Sequence, residues 1–100
     1  HIVQGHVDTV GRVLKVQKNS NGTVVTISFP PENKNLIVEK GSVCIEGISL
    51  TAFDVEQDKF SVSLVDFTLQ NTNAGDWKEE QKVNLEFDIL GKYVAKILGK

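Results

Sequence analysis

Short runs in which apolar and polar residues alternate limit this chain more than any other feature. In GTVVTISF, Thr23, Val25, Ile27 and Phe29 fall on one face and Val24, Thr26 and Ser28 on the other, with β-branched residues throughout. KFSVSLV sets Phe60, Val62 and Leu64 against Ser61 and Ser63, and KVNLEFD sets Val83, Leu85 and Phe87 against Asn84, Glu86 and Asp88. VDTVGRVLKVQ reads as a further long strand, bent at Gly11, and SVCIEGISLTAFDV as two strands joined through or bent at Gly47. Turn residues separate these runs at NSNG (19–22), EQDK (56–59) and NAGD (73–76). PPENKNLI fits a proline-started short helix or a polar loop. About six short strands at hairpin spacing predict an all-β, six-stranded antiparallel Greek-key barrel, which closes its own edges.

The period changes in DILGKYVAKILGK, where Leu90, Tyr93, Val94, Ile97 and Leu98 form a helical stripe, Asp88 caps the start and Gly99 ends it. The expected organisation is one barrel over about 1–88 and an α-helix over about 89–98. That helix packs either on the barrel or on copies of itself. One hundred residues make one domain with a modest core. The chain opens on His1 and has no methionine, as expected of a processed chain or an excised fragment.

The formal net charge is −2 and the lysines are scattered, so no electrostatic footprint for nucleic acid or an anionic membrane is present. The single cysteine, Cys44, allows no internal disulfide and fits a reducing, cytoplasmic setting. An oligonucleotide-binding barrel would want a basic groove with stacking aromatics, against which stand seven aromatics in all and a slight negative charge. The opening HIVQGHVD raises a metal reading. On a strand, His1 and His6 face opposite ways, while His6 and Asp8 share a face but leave a zinc site short of ligands. No metal is expected, and a lone strand histidine is most simply a solvated or hydrogen-bonded side chain.

Three segments in order, HIVQGHVDTVG, KGSVCIEGISLT and TLQNTNAGDWKEEQKVNLEFDILGKYV, closely resemble the carboxy-terminal half of riboflavin synthase, over nearly the whole chain. The most specific pieces are GHVD, EGISLT and VNLEFD followed by KYV. The family's chain holds two similar barrels followed by a helix. Its amino-terminal barrel typically opens with FTGIVQG and carries a cysteine where this chain has Ser49, so Cys44 is not the family's active-site cysteine.

The resemblance implies an enzyme that uses two molecules of 6,7-dimethyl-8-ribityllumazine, moves a four-carbon unit from one to the other, and releases riboflavin and a ribitylamino-pyrimidinedione without cofactor or metal. It implies that His6 matches the active-site histidine, a proton acceptor or donor near neutral pH. Ser49 and Thr51 match ligand-facing hydroxyls, and Asp88 matches an aspartate implicated in catalysis. Lys40 and Glu46 match positions near the ribityl chain and ring, Glu46 standing where aspartate is commoner. Gly5, Val7, Leu50, Ser63, Leu64, Val65, Asp66, Phe67 and Thr68 match the lining of the ligand slot. VDFT departs from the family's proline-containing IPxT there, with Thr68 retained.

The family's active site forms between the amino-terminal barrel of one subunit and the carboxy-terminal barrel of another, in a trimer assembled through the terminal helix. The resemblance therefore implies a homo-oligomer, and a single barrel that binds lumazine or riboflavin yet turns over poorly. The rival is a non-catalytic, antenna-type lumazine or riboflavin binder, which tends to lose the histidine motif in this half; retention of GHVD favours the enzyme.

Overall fold

The computed structural model describes residues 7–65, 68, 72–87 and 97–98. Six strands are formed: β1 (Thr9–Asn19), β2 (Gly22–Ser28), β3 (Ser42–Ile45), β4 (Ile48–Phe53), β5 (Lys59–Leu64) and β6 (Lys82–Phe87). All neighbours are antiparallel, and the sheet closes in the order β1-β2-β5-β4-β3-β6. Closure leaves no edge strand exposed along its full length to template aggregation.

The alternating segments become strands because one face of each can be buried. Val25, Ile27, Phe29, Phe60, Val62, Leu64, Val83, Leu85 and Phe87 all lie in the core, joined by Val13, Val43, Ile45 and Ala52. Phe29 and Phe60 pack as a tilted ring pair with centroids 5.9 Å apart. PENKNL forms a 3-10 helix (Pro31–Leu36), with proline at its start where a missing N–H costs nothing. NAGD forms a second, shorter one (Asn73–Asp76), opened by the Thr72 hydroxyl accepting from the Ala74 amide at 3.1 Å. The Glu46-Gly47 loop between β3 and β4 has both residues at positive φ (50° and 82°), as a two-residue type I′ hairpin requires.

The bend expected at Gly11 lies elsewhere. The β1–β2 register slips between Val13 and Lys15, so the extra residue is Leu14. Gly11 serves a close approach instead: a Cβ there would stand 2.5 Å from the Ser28 carbonyl oxygen. The proposed helix over 89–98 falls outside the described residues apart from the exposed Ile97 and Leu98.

Candidate functional site

The barrel is least tightly joined between β4 and β5. Among the described residues, only Ala52↔Val62 and Phe53↔Ser61 pair there. Carrying that register on would set Thr51 against Ser63, Leu50 against Leu64 and Ser49 against Val65, yet none of these pairs is made. Each strand is nonetheless held on its other side. β4 keeps Ser42↔Thr51, Val43↔Leu50 and Cys44↔Ser49 with β3, and β5 keeps Val24↔Ser63 and Thr23↔Leu64 with β2. The result is a split between two fixed strands.

Backbone alternation says what faces that split. The Ala52 amide donates to Gly41 O at 2.8 Å and its carbonyl accepts from the Lys40 amide at 2.7 Å, so its polar groups point towards β3. Those of Thr51 and Ser49, one and three residues earlier, therefore point towards β5. Along the side chains, Leu64 is fully buried and Leu50 packs against the core, while Ser49, Thr51, Ser63 and Val65 take the outer positions. Apolar side chains at the base, hydroxyls on both rims and ladder groups of two strands together suit a flat heterocycle with a polar edge.

The other candidate residues lie around this split in different ways. Lys40 is exposed, sits in the left-handed region (φ 68°), and is fixed by its amide to Ala52 at the end where β4 and β5 still pair. Glu46 is at the opposite end of β4. Its carboxylate accepts from the Asn84 amide and its own amide donates to Asn84 O at 3.0 Å, clipping the hairpin to β6. Val7 is exposed just ahead of β1, and Thr68 is half-buried beyond β5. Gly5, His6, Asp66, Phe67 and Asp88 lie outside the described residues.

Two carboxylates with structural duties had no signal in the sequence. The Phe87 amide donates to Asp8 Oδ2 at 2.7 Å, and the Asp8 amide to Leu85 O at 2.8 Å, joining the start of β1 to the end of β6. Glu39 accepts from the Val55 amide at 2.9 Å and the Asp54 amide at 3.0 Å. These bonds, Val55 foremost, hold its pKa below the ordinary value, with Lys40 adding to the effect. Glu39 thus braces the turn after β4, where Asp54 adopts φ 51°. Cys44 is buried and pairs with Ser49 across the β3–β4 ladder, and desolvation, helped by the nearby Glu86, pushes its thiol pKa up.

A family model described as a lumazine binding domain matches residues 4–88. The chain belongs to the lumazine-binding domain family. Among relatives of this chain, riboflavin synthase of Actinobacillus pleuropneumoniae is 42% identical over 100 residues, covering 100% of this chain and 46% of the relative. That of Photobacterium leiognathi is 38% identical, covering 98% and 45%, and that of Bacillus subtilis 33% identical, covering 100% and 46%. The chain spans about half the length of the curated relatives it matches. Among solved structures, LumP complexed with 6,7-dimethyl-8-(1'-D-ribityl) lumazine superposes with a TM-score of 0.79 at 23% identity, covering 87% of this chain and 49% of LumP. LumP complexed with riboflavin gives 0.81 at 20%, covering 87% and 47%. These likenesses show that the fold is the lumazine-binding barrel.

Proposed function

We propose that this chain is the carboxy-terminal lumazine-binding barrel of a riboflavin synthase, providing one of the two substrate slots for the dismutation of 6,7-dimethyl-8-ribityllumazine. The observation that carries the reading is the split between β4 and β5, lined by the GISLT segment that the family resemblance assigns to the ligand. Relatives named riboflavin synthase align along the whole chain, which supports the same assignment.

In this reading the pteridine lies in the split, its edge bonded by the backbone of Ser49 and Thr51 and its face against Leu50, which is only partly buried. The hydroxyls of Ser49 and Thr51 bond the ring or assist addition of water to it. The conjugated lumazine acidifies its own 7-methyl group, so the protein's task is positioning and proton traffic. His6 and Asp88 serve the proton transfers, with Lys40 and Glu46 near the ribityl chain and ring. In the sequence His6 precedes Asp8 by two residues and Asp88 follows Phe87 directly, and Asp8 and Phe87 are themselves hydrogen-bonded. The lining includes Gly5, Val7 and Ser63 to Thr68. The reading includes Greek-key connectivity, a trimer of the full chain, a cytoplasmic setting, and an active site completed by an amino-terminal barrel.

Fluorescence titration with 6,7-dimethyl-8-ribityllumazine tests the slot: saturable binding is expected, weakened about ten-fold by Ser49→Ala, the loss of one hydrogen bond. Absence of binding overturns the reading. Adding an amino-terminal riboflavin synthase barrel tests the activity, with riboflavin as the product expected. Binding without turnover in that mixture would favour the second reading, a non-catalytic lumazine or riboflavin binder.

A further inference from the structure

On the far side of the barrel from the β4–β5 split, β6, β1 and β2 carry an unusual row. Lys82 stands directly opposite Arg12, and Arg12 directly opposite Ser28. Like charges facing each other across a ladder are destabilising. The nearest relief is weak: Arg12 Nη1 is 3.4 Å from the Glu80 carbonyl oxygen and 3.7 Å from Glu80 Oε2, on an acid whose side chain is 76% exposed. Among the described residues, Arg12 uses only Nη1 and the Lys82 ammonium has no ion-pair partner. Both cations line a cleft of about 290 Å³ whose other walls are Val10, Gly11, Ser28, Phe29 and Pro30. Val10 is 49% exposed there.

We propose that this cleft is a second ligand site, for a small organic phosphate monoester. Two cations against one loosely held carboxylate leave a net positive charge, which a dianionic head group neutralises. Arg12 offers the unused part of its planar fork to two phosphate oxygens, and Lys82 adds a point charge beside it. The Ser28 hydroxyl donates to the Arg12 carbonyl at 3.3 Å, which ties the cleft wall of β2 to the backbone that carries the guanidinium. The apolar wall of Val10 and Pro30 accommodates the organic part, and the volume is that of a small ligand. The cationic pair thus costs the free protein stability, and the ligand removes that cost.

Amide chemical shifts titrated with phenyl phosphate test this, with benzyl alcohol and inorganic phosphate as the neutral and headless controls. Saturable shifts are expected at Val10, Arg12, Ser28 and Lys82, larger than with either control. Lys82→Glu, on an exposed side chain facing Arg12, should raise the unfolding midpoint and weaken binding at least about ten-fold. Arg12→Gln should weaken it similarly. No saturable shift by roughly 10 mM, a range set by millimolar affinity, overturns the proposal. So do unchanged binding by Lys82→Glu and shifts centred on Ser49 and Thr51. Ribityllumazine should not compete, so failure at one site leaves the reading of the other intact.

Discussion

Asp8 and Phe87, 79 positions apart, are joined by a hydrogen bond of 2.7 Å from the Phe87 amide to the Asp8 carboxylate. It holds the start of β1 against the end of β6, next in the chain to the segments bearing His6 and Asp88. Asp8→Ala leaves a part-buried amide without this acceptor and should destabilise the barrel by about 1–2 kcal/mol. For a domain of this size each kcal/mol lowers the thermal midpoint by roughly 4–8 °C, which calorimetry reads directly. An unchanged midpoint would show that the bond contributes nothing net.

Gly11→Ala should also destabilise, by about 1–3 kcal/mol, through overpacking. The added carbon would stand 2.5 Å from Ser28 O, 2.8 Å from Leu85 Cδ1 and 3.0 Å from Ile27 Cγ2. The first of these is backbone, which cannot swing aside. Urea unfolding of the two proteins side by side gives the difference.

The Glu39 clamp should show in the acid limb of stability. Its folded-state pKa is lowered from the ordinary 4.5, chiefly by the Val55 amide. The stabilisation is then fully present above 4.5 and lost as pH falls through the lowered value, where both states are protonated. The gap in urea midpoint between the wild type and Glu39→Gln should be open at neutral pH and close on acidification. A gap that is constant with pH would remove the carboxylate from the account.

Cys44 should resist alkylation. Its thiol pKa is raised from the ordinary 9.0, first by desolvation and then by Glu86, and the side chain is buried. Iodoacetamide at neutral pH should modify the folded chain at least about ten-fold more slowly than the same chain in denaturant. Equal rates would show that the site opens freely.

The strands were legible because burial of one face imposes a period of two. Thr23, Val25, Ile27 and Phe29 are all buried, as their alternation demands. Val83, Leu85 and Phe87 follow the same rule. The bend in β1 was misplaced because a glycine is visible in the sequence, whereas a one-residue slip at Leu14 depends on where β2 lies alongside. Of the candidate site, GISLT was legible as a motif, but the parting of its strand from β5 was not: the residues on both sides have ordinary strand character. The clamps made by Glu39 and Asp8 leave no mark in the sequence, since their partners are amides 15 to 79 positions away, and every residue but proline has one.

By itself, then, the sequence determined which segments are strands, which faces they bury and where the chain turns, because those follow from contacts and preferences within a few residues. Only the tertiary structure decided that β5 lies between β2 and β4, that β3 meets β6, where the barrel stays open, and that Arg12 faces Lys82. Those are pairings between distant segments, set by the closure of the whole sheet rather than by any one strand.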